Sequence, residues 1–269
     1  MTCTIEVLCI GNELLIGKIL NTNAQWLARY VSSLGGNVKR VNTIGDDLNE
    51  ISSALLDSLS RKPTFIITTG GLGPTFDDKT LEAIANSLNK PIVLNEEALS
   101  MVKEKYHQYE AIISKKLELT PARLKMASLP EGSKPLQNPV GTAPGVLLKY
   151  DSSQIIALPG VPKEMEAIFE ISLAPMIKAA VGNVFTYEKS LNVFDIIESE
   201  LAPLIDKTMH DNPYVYIKSH PKAAEPIPLI ELHLTATSEL EEKAQENVEK
   251  AAKQISQLIL QHAGKIESD

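Results

Sequence analysis

The chain has 269 residues, 43% of them hydrophobic, which is enough for one large domain with a smaller one. Its 34 acidic residues outnumber 26 basic ones and give a formal net charge of −8, the wrong sign for a surface that binds many phosphates, so we expect no nucleic-acid partner. Because no apolar stretch reaches the roughly 20 residues of a membrane span and the N-terminus lacks a signal-peptide pattern, we expect a cytoplasmic protein with no membrane partner.

Both cysteines of the chain fall at the first predicted strand, residues 4–10. An extended strand holds Cys3 and Cys9 roughly 20 Å apart, much farther than a disulfide permits, so we expect two buried, reduced thiols. The five histidines form no zinc-type spacing, and a metal in this protein would therefore need oxygen ligands.

Apolar, β-branched runs alternate with amphipathic helices in the first part of the chain. The predicted strands are residues 5–10, 38–44 and 65–69, with a helix that stops at Gly35 and another that Asp47 caps. This alternation indicates right-handed crossovers and an open, mostly parallel sheet. More elements follow, with predicted helices over 96–109, 121–126 and 162–180 and predicted strands over 145–150 and 154–158.

Glycine usage predicts the domain boundary, because thirteen of the fourteen glycines lie at or before Gly182. We therefore expect a three-layer α/β domain over residues 1–182 and a small α+β module over 183–269. The module's predicted strands are 188–193, 214–220 and 227–235, and its predicted helices are 195–206 and 239–262. Alternating apolar residues in the last strand indicate one solvated face, which is typical of a module that packs or forms a homo-oligomer.

Two stretches nearly match nucleotide-binding motifs. In GNELLIGKI, five residues separate Gly11 from Gly17 where the Walker loop has four, and Ile19 replaces the magnesium-binding Ser or Thr. In GLGPTF, Phe76 stands where the dinucleotide fingerprint needs its third glycine. Neither motif is therefore predicted.

The stretch TTGGLGPTFDDKT, residues 68–80, lies between a predicted strand and a predicted helix. Close backbone approach at glycines predicts a phosphate-binding loop, whose members are Thr69, Gly70, Gly71 and Gly73. The adjacent acids Asp77 and Asp78 would repel a bare phosphate, so a divalent cation between carboxylate and phosphate is expected. The alternative is that Asp78 only caps the following helix.

Acidic residues also follow the first two predicted strands. Because loops after parallel strands line one crevice, Glu13, Asp46 and Asp78 are expected to converge there on a cation such as Mg²⁺, Mn²⁺ or Co²⁺. Asp47, one residue after Asp46, is better explained as a helix cap.

Two further stretches, NPVGTAPG and LPGVPKEM, have unusual turn chemistry. Gly141 in the first, and Gly160 and Lys163 in the second, are candidate phosphate-binding residues by their expected position at the crevice edge. Glu164 is a weaker candidate metal ligand, since it also suits a solvated first helical turn.

These motifs resemble the molybdopterin-binding fold family, and most of all its CinA branch, which carries GNExLxG, GDD, TTGGLGPTxDD and LPGVPxEM in this order. The resemblance covers nearly the whole chain. It implies a three-layer α/β domain followed by a KH-type module. The chain has no room for the C-terminal deamidase domain of many CinA proteins, and it has no GxxG loop after residue 182, so we predict neither deamidation nor RNA binding.

The resemblance also implies a reaction, in which Asp46 and Asp78 serve as catalytic, metal-binding acids. In the CinA branch this is metal-dependent cleavage of a pyrophosphate linkage in ADP-ribose-like nucleotides, which we favour. The alternatives are molybdopterin binding or adenylyl transfer in cofactor metabolism, and a non-catalytic nucleotide sensor.

Overall fold

The computed structural model describes residues 3–114, 118–182, 184–222 and 229–268. The chain forms two compact units, Met1–Val181 and Gly182–Asp269. The division falls one residue before the boundary expected from glycine usage, and Asn183 itself lies outside the described residues.

The first unit contains eight strands and eight α-helices among its described residues. The strands are β1 Thr4–Ile10, β2 Asn37–Ile44, β3 Phe65–Thr69, β4 Ile92–Leu94, β5 Ser128–Pro130, β6 Lys134–Leu136, β7 Gly145–Tyr150 and β8 Ser153–Leu158. The helices are α1 Asn12–Leu15, α2 Thr22–Ser33, α3 Leu48–Ser60, α4 Thr80–Ser87, α5 Glu96–Ile113, α6 Pro121–Lys125, α7 Pro162–Ile168 and α8 Ala174–Val181, with a π-helical turn, Phe169–Leu173, joining α7 to α8.

Six of the strands form one sheet in the order β2-β1-β3-β8-β7-β6. The pairs β1–β2, β1–β3 and β3–β8 are parallel, whereas β7 pairs antiparallel with both β8 and β6. Every residue of β3 is buried, as its unbroken apolar run requires of a strand covered on both faces. The predicted mostly parallel α/β/α architecture is confirmed.

A separate hydrophobic core covers each face of this sheet. Leu55 of α3 and Ile84 of α4 pack on one face, while Leu27 of α2 and Phe169 pack on the other. Both cysteines are buried and free, as expected, and burial raises the pKa of each thiol.

The second unit is α+β. Its described elements are β9 Phe185–Phe194, α9 Glu198–Asp211, β10 Val215–Pro221, β11 Leu229–Ser238, α10 Glu241–Gln261 and β12 Lys265–Ser268. The strands form an antiparallel sheet in the order β10-β11-β9-β12. Alternate residues of β11 are buried, which confirms the predicted half-solvated strand. The predicted start of that strand at Ile227 lies outside the described residues, and β12 was not predicted.

None of the described helices is long and apolar enough to cross a membrane.

Candidate functional site

A crevice of about 690 Å³ lies within the first unit, where the loops after β1, β2, β3 and β8 meet. Parallel strands present their carboxyl ends at one edge of a sheet, and ligands bind there in open α/β folds. The predicted glycines that line the crevice are Gly70, Gly71, Gly73 and Gly160. The predicted acids that line it are Glu13, Asp46, Asp77 and Asp78, and Glu164 joins them.

The loop after β3 requires glycine at Gly70 and Gly71. Gly70 has φ +110°, and a Cβ built there would lie 2.1 Å from the main-chain oxygen of Ile10. Gly71 has φ +69°, and its Cβ would lie 2.3 Å from Oγ1 of Thr80. The first two glycines of the motif therefore allow the β3 loop to pack against β1 and α4.

The tip of the same loop carries main-chain donors without protein acceptors. The N–H groups of Gly71, Leu72 and Gly73 donate no hydrogen bond to any acceptor among the described residues, although all three residues line the crevice. Gly70 N–H, in contrast, donates to Leu158 O at 3.0 Å. Consecutive unpaired N–H groups are an arrangement that binds anions, and phosphate above all.

The two aspartates after the glycines turn back onto Thr75. Asp78 Oδ2 accepts hydrogen bonds from Thr75 N at 2.8 Å and from Thr75 Oγ1 at 2.5 Å. Asp77 shares the single proton of this hydroxyl with Asp78. This hydrogen bond, with the nearby charges of Lys125 and Lys79, holds the pKa of the Asp77 carboxyl below its usual range. Lys79 occupies the N-cap of α4 without a side-chain cap, so the alternative that Asp78 caps this helix is wrong.

Asp46 is held by a reciprocal pair of hydrogen bonds with the loop after β1. Asn12 N–H donates to Asp46 Oδ2 at 2.8 Å, and Asp46 N–H donates to Asn12 Oδ1 at 3.3 Å. Asp47 accepts from Asn49 N and Glu50 N at the start of α3, which confirms its predicted role as a cap. The two adjacent aspartates therefore have separate roles in the structure.

The acids of the crevice are not gathered into a preformed metal cage. Among the described residues, no group of three or more His, Cys, Asp or Glu side chains is arranged to hold a metal ion. Glu13, Asp46 and Asp78 thus line one crevice, as expected, but they do not come together as a group of metal ligands. Their carboxylates fit a hard cation held by one or two protein ligands together with substrate phosphates, which is how Mg²⁺ is usually bound.

Glu164, at the start of α7, lies against the backbone of Gly141. A Cβ at Gly141 would lie 1.9 Å from Glu164 Oε2, and the same oxygen accepts a hydrogen bond from Asn138 Nδ2 at 2.7 Å. Gly141 does not itself line the crevice but makes room for the carboxylate that does. Lys163 is exposed and lies outside the crevice lining.

Thr69 is buried, and its hydroxyl is used within the protein. Oγ1 donates to Pro159 O at 3.0 Å and accepts from Asn23 Nδ2 at 3.0 Å. Asn23 also donates to Gly160 O at 2.8 Å, so these side chains join α2, the end of β3 and the loop after β8. Thr69 lies outside the lining of the 690 Å³ crevice, and its observed contacts position the loops around it.

The segment between β4 and β5 supplies a wall of the crevice that sequence analysis missed. Tyr106 of α5 and Met126, just after α6, line it, and Lys125 Nζ donates to Thr75 O in the β3 loop. Tyr106 lies more than 25 residues from any predicted site residue. An aromatic residue on an amphipathic helix is ordinarily explained by core packing, so no local motif could have identified Tyr106 as a crevice residue.

The crevice lies within a segment with known relatives. Residues 6–179, which include every residue of the crevice lining, match the family described as a probable molybdopterin binding domain. The chain is 43% identical over 259 residues to a protein of Pyrobaculum arsenaticum (96% of this chain, 95% of that protein) and 46% identical over 251 residues to one of Caldivirga maquilingensis (93% and 94%). Among solved structures, the protein CinA of Thermoplasma acidophilum is similar at 39% identity and a TM-score of 0.60, covering 65% of this chain and 98% of that one.

Proposed function

This chain belongs to the molybdopterin-binding-domain family, in its CinA-like branch, and from that premise we propose that it is a metal-dependent nucleotide pyrophosphatase. The substrate class is a small nucleotide of the ADP-ribose type. Water attacks one phosphorus of the pyrophosphate, the bond from that phosphorus to the bridging oxygen breaks, and AMP and ribose 5-phosphate leave.

The charge of the crevice lining carries this proposal. Five carboxylates line it, from Glu13, Asp46, Asp77, Asp78 and Glu164, and no Lys, Arg or His stands among the described lining residues. The unpaired N–H groups of Gly71, Leu72 and Gly73 nevertheless suit a phosphate. Acids and a phosphate-binding loop are compatible in one crevice when a divalent cation neutralises the charge between them.

Separate residues have separate roles in this proposal. The loop N–H groups hold one phosphate and stabilise the negative charge that grows on its oxygens as water attacks. Asp78, fixed by Thr75 of its own loop, and Asp46, fixed by the Asn12 N–H of the loop after β1, would hold the cation. A bound Mg²⁺, Mn²⁺ or Co²⁺ supplies charge neutralisation for the pyrophosphate.

Product analysis tests the proposal. The purified protein is incubated with ADP-ribose, FAD, NAD and ATP, each with Mg²⁺, Mn²⁺ or Co²⁺ and each with a chelator, and AMP release is followed by chromatography. We expect AMP from ADP-ribose only when a cation is present. No AMP from any substrate with any of the three cations would contradict the proposal.

A second candidate function rests on the family itself. Molybdopterin binding, or adenylyl transfer to molybdopterin, uses the same acids and the same phosphate-binding loop, so the fold does not separate it from the first candidate. Pterin fluorescence in the purified protein, or AMP transfer from ATP to a pterin acceptor, would favour it.

A further inference from the structure

Among the described residues that line the crevice, one is aromatic, Tyr106. The proposed function assigns no role to this side chain. It stands on α5, outside the acid-bearing loops, and is partly exposed. Met126 and Leu72, two apolar side chains, line the same crevice. The crevice thus combines an acidic region with apolar and aromatic side chains, as a ligand with a charged group and a flat, uncharged group would require.

The ring of Tyr106 is held in place by its neighbours. The guanidinium carbon of Arg123 lies 4.2 Å from the ring centroid, and Tyr109 contacts the ring edge-on with centroids 6.3 Å apart. Arg123 is anchored in turn, because its side chain donates to Glu118 O. Arg123 and Tyr109 are absent from the crevice lining, so they hold the ring from outside the crevice.

The segment that carries Tyr106 is also tied to the phosphate-binding loop. Lys125 of α6 donates to Thr75 O, next to the two aspartates, while Met126 lines the crevice. The positions of the aromatic ring and of the glycine loop are therefore coupled through α6. A ligand whose phosphate contacts the loop can place its other end against the ring.

We propose that Tyr106 is the stacking surface for a planar nitrogen heterocycle, the base of a nucleotide or a pterin, whose phosphate binds the loop of residues 71–73. This inference rests on the proposed function for its phosphate end. Aromatic side chains bind flat heterocycles of many kinds because each presents a π-face, and this contact discriminates ligands that have a planar aromatic ring from those that lack one.

The test compares the wild type with Tyr106→Phe and Tyr106→Leu, and uses His107→Leu as the matched control on the same helix, because the His107 side chain is 75% exposed and lies outside the crevice lining. Three probes are titrated in the presence of Mn²⁺: ADP-ribose, ribose 5-phosphate, which has no base, and neopterin, which has no phosphate. KM and kcat for AMP release are measured alongside binding.

Stacking predicts that Tyr106→Leu weakens ADP-ribose binding and raises its KM about tenfold, with little change in kcat and none in ribose 5-phosphate binding. Tyr106→Phe and His107→Leu should behave as the wild type. Neopterin binding that is lost in Tyr106→Leu identifies the pterin as a ligand of the same ring.

Failure of this inference differs from failure of the proposed function. Equal affinity of wild type and Tyr106→Leu for both ADP-ribose and neopterin overturns the stacking role, even if AMP release persists. Absence of AMP release from the wild type overturns the pyrophosphatase but leaves the binding comparison decisive. A wild type that binds none of the three probes overturns both.

Discussion

Thr80 donates a hydrogen bond from its buried hydroxyl to the main-chain oxygen of Gly70 at 2.7 Å. Its main-chain N–H donates to Gly71 O at 3.3 Å. The first residue of α4 thereby fixes the two glycines that begin the phosphate-binding loop, and both glycines have positive φ. Gly73, at the other end of the loop, forms no such main-chain hydrogen bond with any residue that the structure describes.

Gly70→Ala should therefore lower mainly the stability of the protein, whereas Gly73→Ala should lower mainly its activity. At Gly70 a Cβ meets the main-chain oxygen of Ile10, so we expect a loss of at least about 2 kcal/mol of unfolding free energy. At Gly73 a Cβ would lie 2.6 Å from Asp78 Oδ2, a side-chain end that can move. We expect near-wild-type stability there but AMP release lowered at least about tenfold. Urea unfolding and AMP release on both variants measure the two effects, and equal stability of both variants would contradict this account.

Asp78→Asn should abolish metal-dependent AMP release while the protein stays folded. Asparagine keeps an oxygen that can accept from Thr75 but removes the charge that attracts a cation. Asp151→Asn is the matched control, because Asp151 is exposed, lies in the β7–β8 turn and has φ +48°, a conformation that asparagine tolerates. Turnover in Asp78→Asn with unchanged metal dependence would remove Asp78 from the site.

Glu6 should make the stability of the first unit sensitive to acid. Burial raises the pKa of Glu6, but hydrogen bonds from Arg61 and Ser58, with the charges of Arg61 and Arg40, lower it by more, so the net pKa lies below its ordinary value. A depressed pKa contributes stability that is present above the unfolded pKa of about 4.3 and is lost as the pH falls through the folded pKa.

Replacing this carboxylate tests the effect. Glu6→Gln should lower the unfolding free energy by about 1.5 kcal/mol at neutral pH, because it weakens the charged hydrogen bonds from Arg61, which keeps its ion pair with Asp57, and should flatten the loss of stability in acid. Urea unfolding across the acid range measures both changes. The exposed Glu131→Gln should follow the wild type, and a parallel acid profile for Glu6→Gln would contradict the assignment.

A chain that ends at Gly182 should fold and keep nucleotide binding. All residues of the crevice lining lie within the first compact unit. So do the two hydrophobic cores, one on each face of its sheet. We expect light scattering to report a smaller assembly, since we propose that the second unit supplies the homo-oligomer contact. A folded monomer without any nucleotide binding would instead assign part of the site to the second unit, with Lys218, His220 and Lys222 the first side chains to replace.

Local signals predicted the elements that depend on neighbouring residues. The run 65–69 forms β3 with the bounds expected of a fully buried strand, and Asp47 caps α3 through N–H groups two and three residues ahead. The short strands β4, β5 and β6 were missed, since three residues carry too little periodicity to identify a strand. The glycine loop was likewise predicted, because a position where the main chain comes too close to its neighbours for a Cβ accepts only glycine.

The sequence by itself determined which residue types stand at the ends of the parallel strands, and with them the fold and the position of the crevice. Only the tertiary structure decided how each side chain is used. The Thr69 hydroxyl forms hydrogen bonds with Pro159 O and Asn23 Nδ2. Asp78 accepts hydrogen bonds from Thr75 rather than capping α4. Tyr106 reaches the crevice from a separate helix. Hydrogen-bond partners of this kind depend on which loops meet in space, and contacts between residues distant in the chain leave no periodic signal along it.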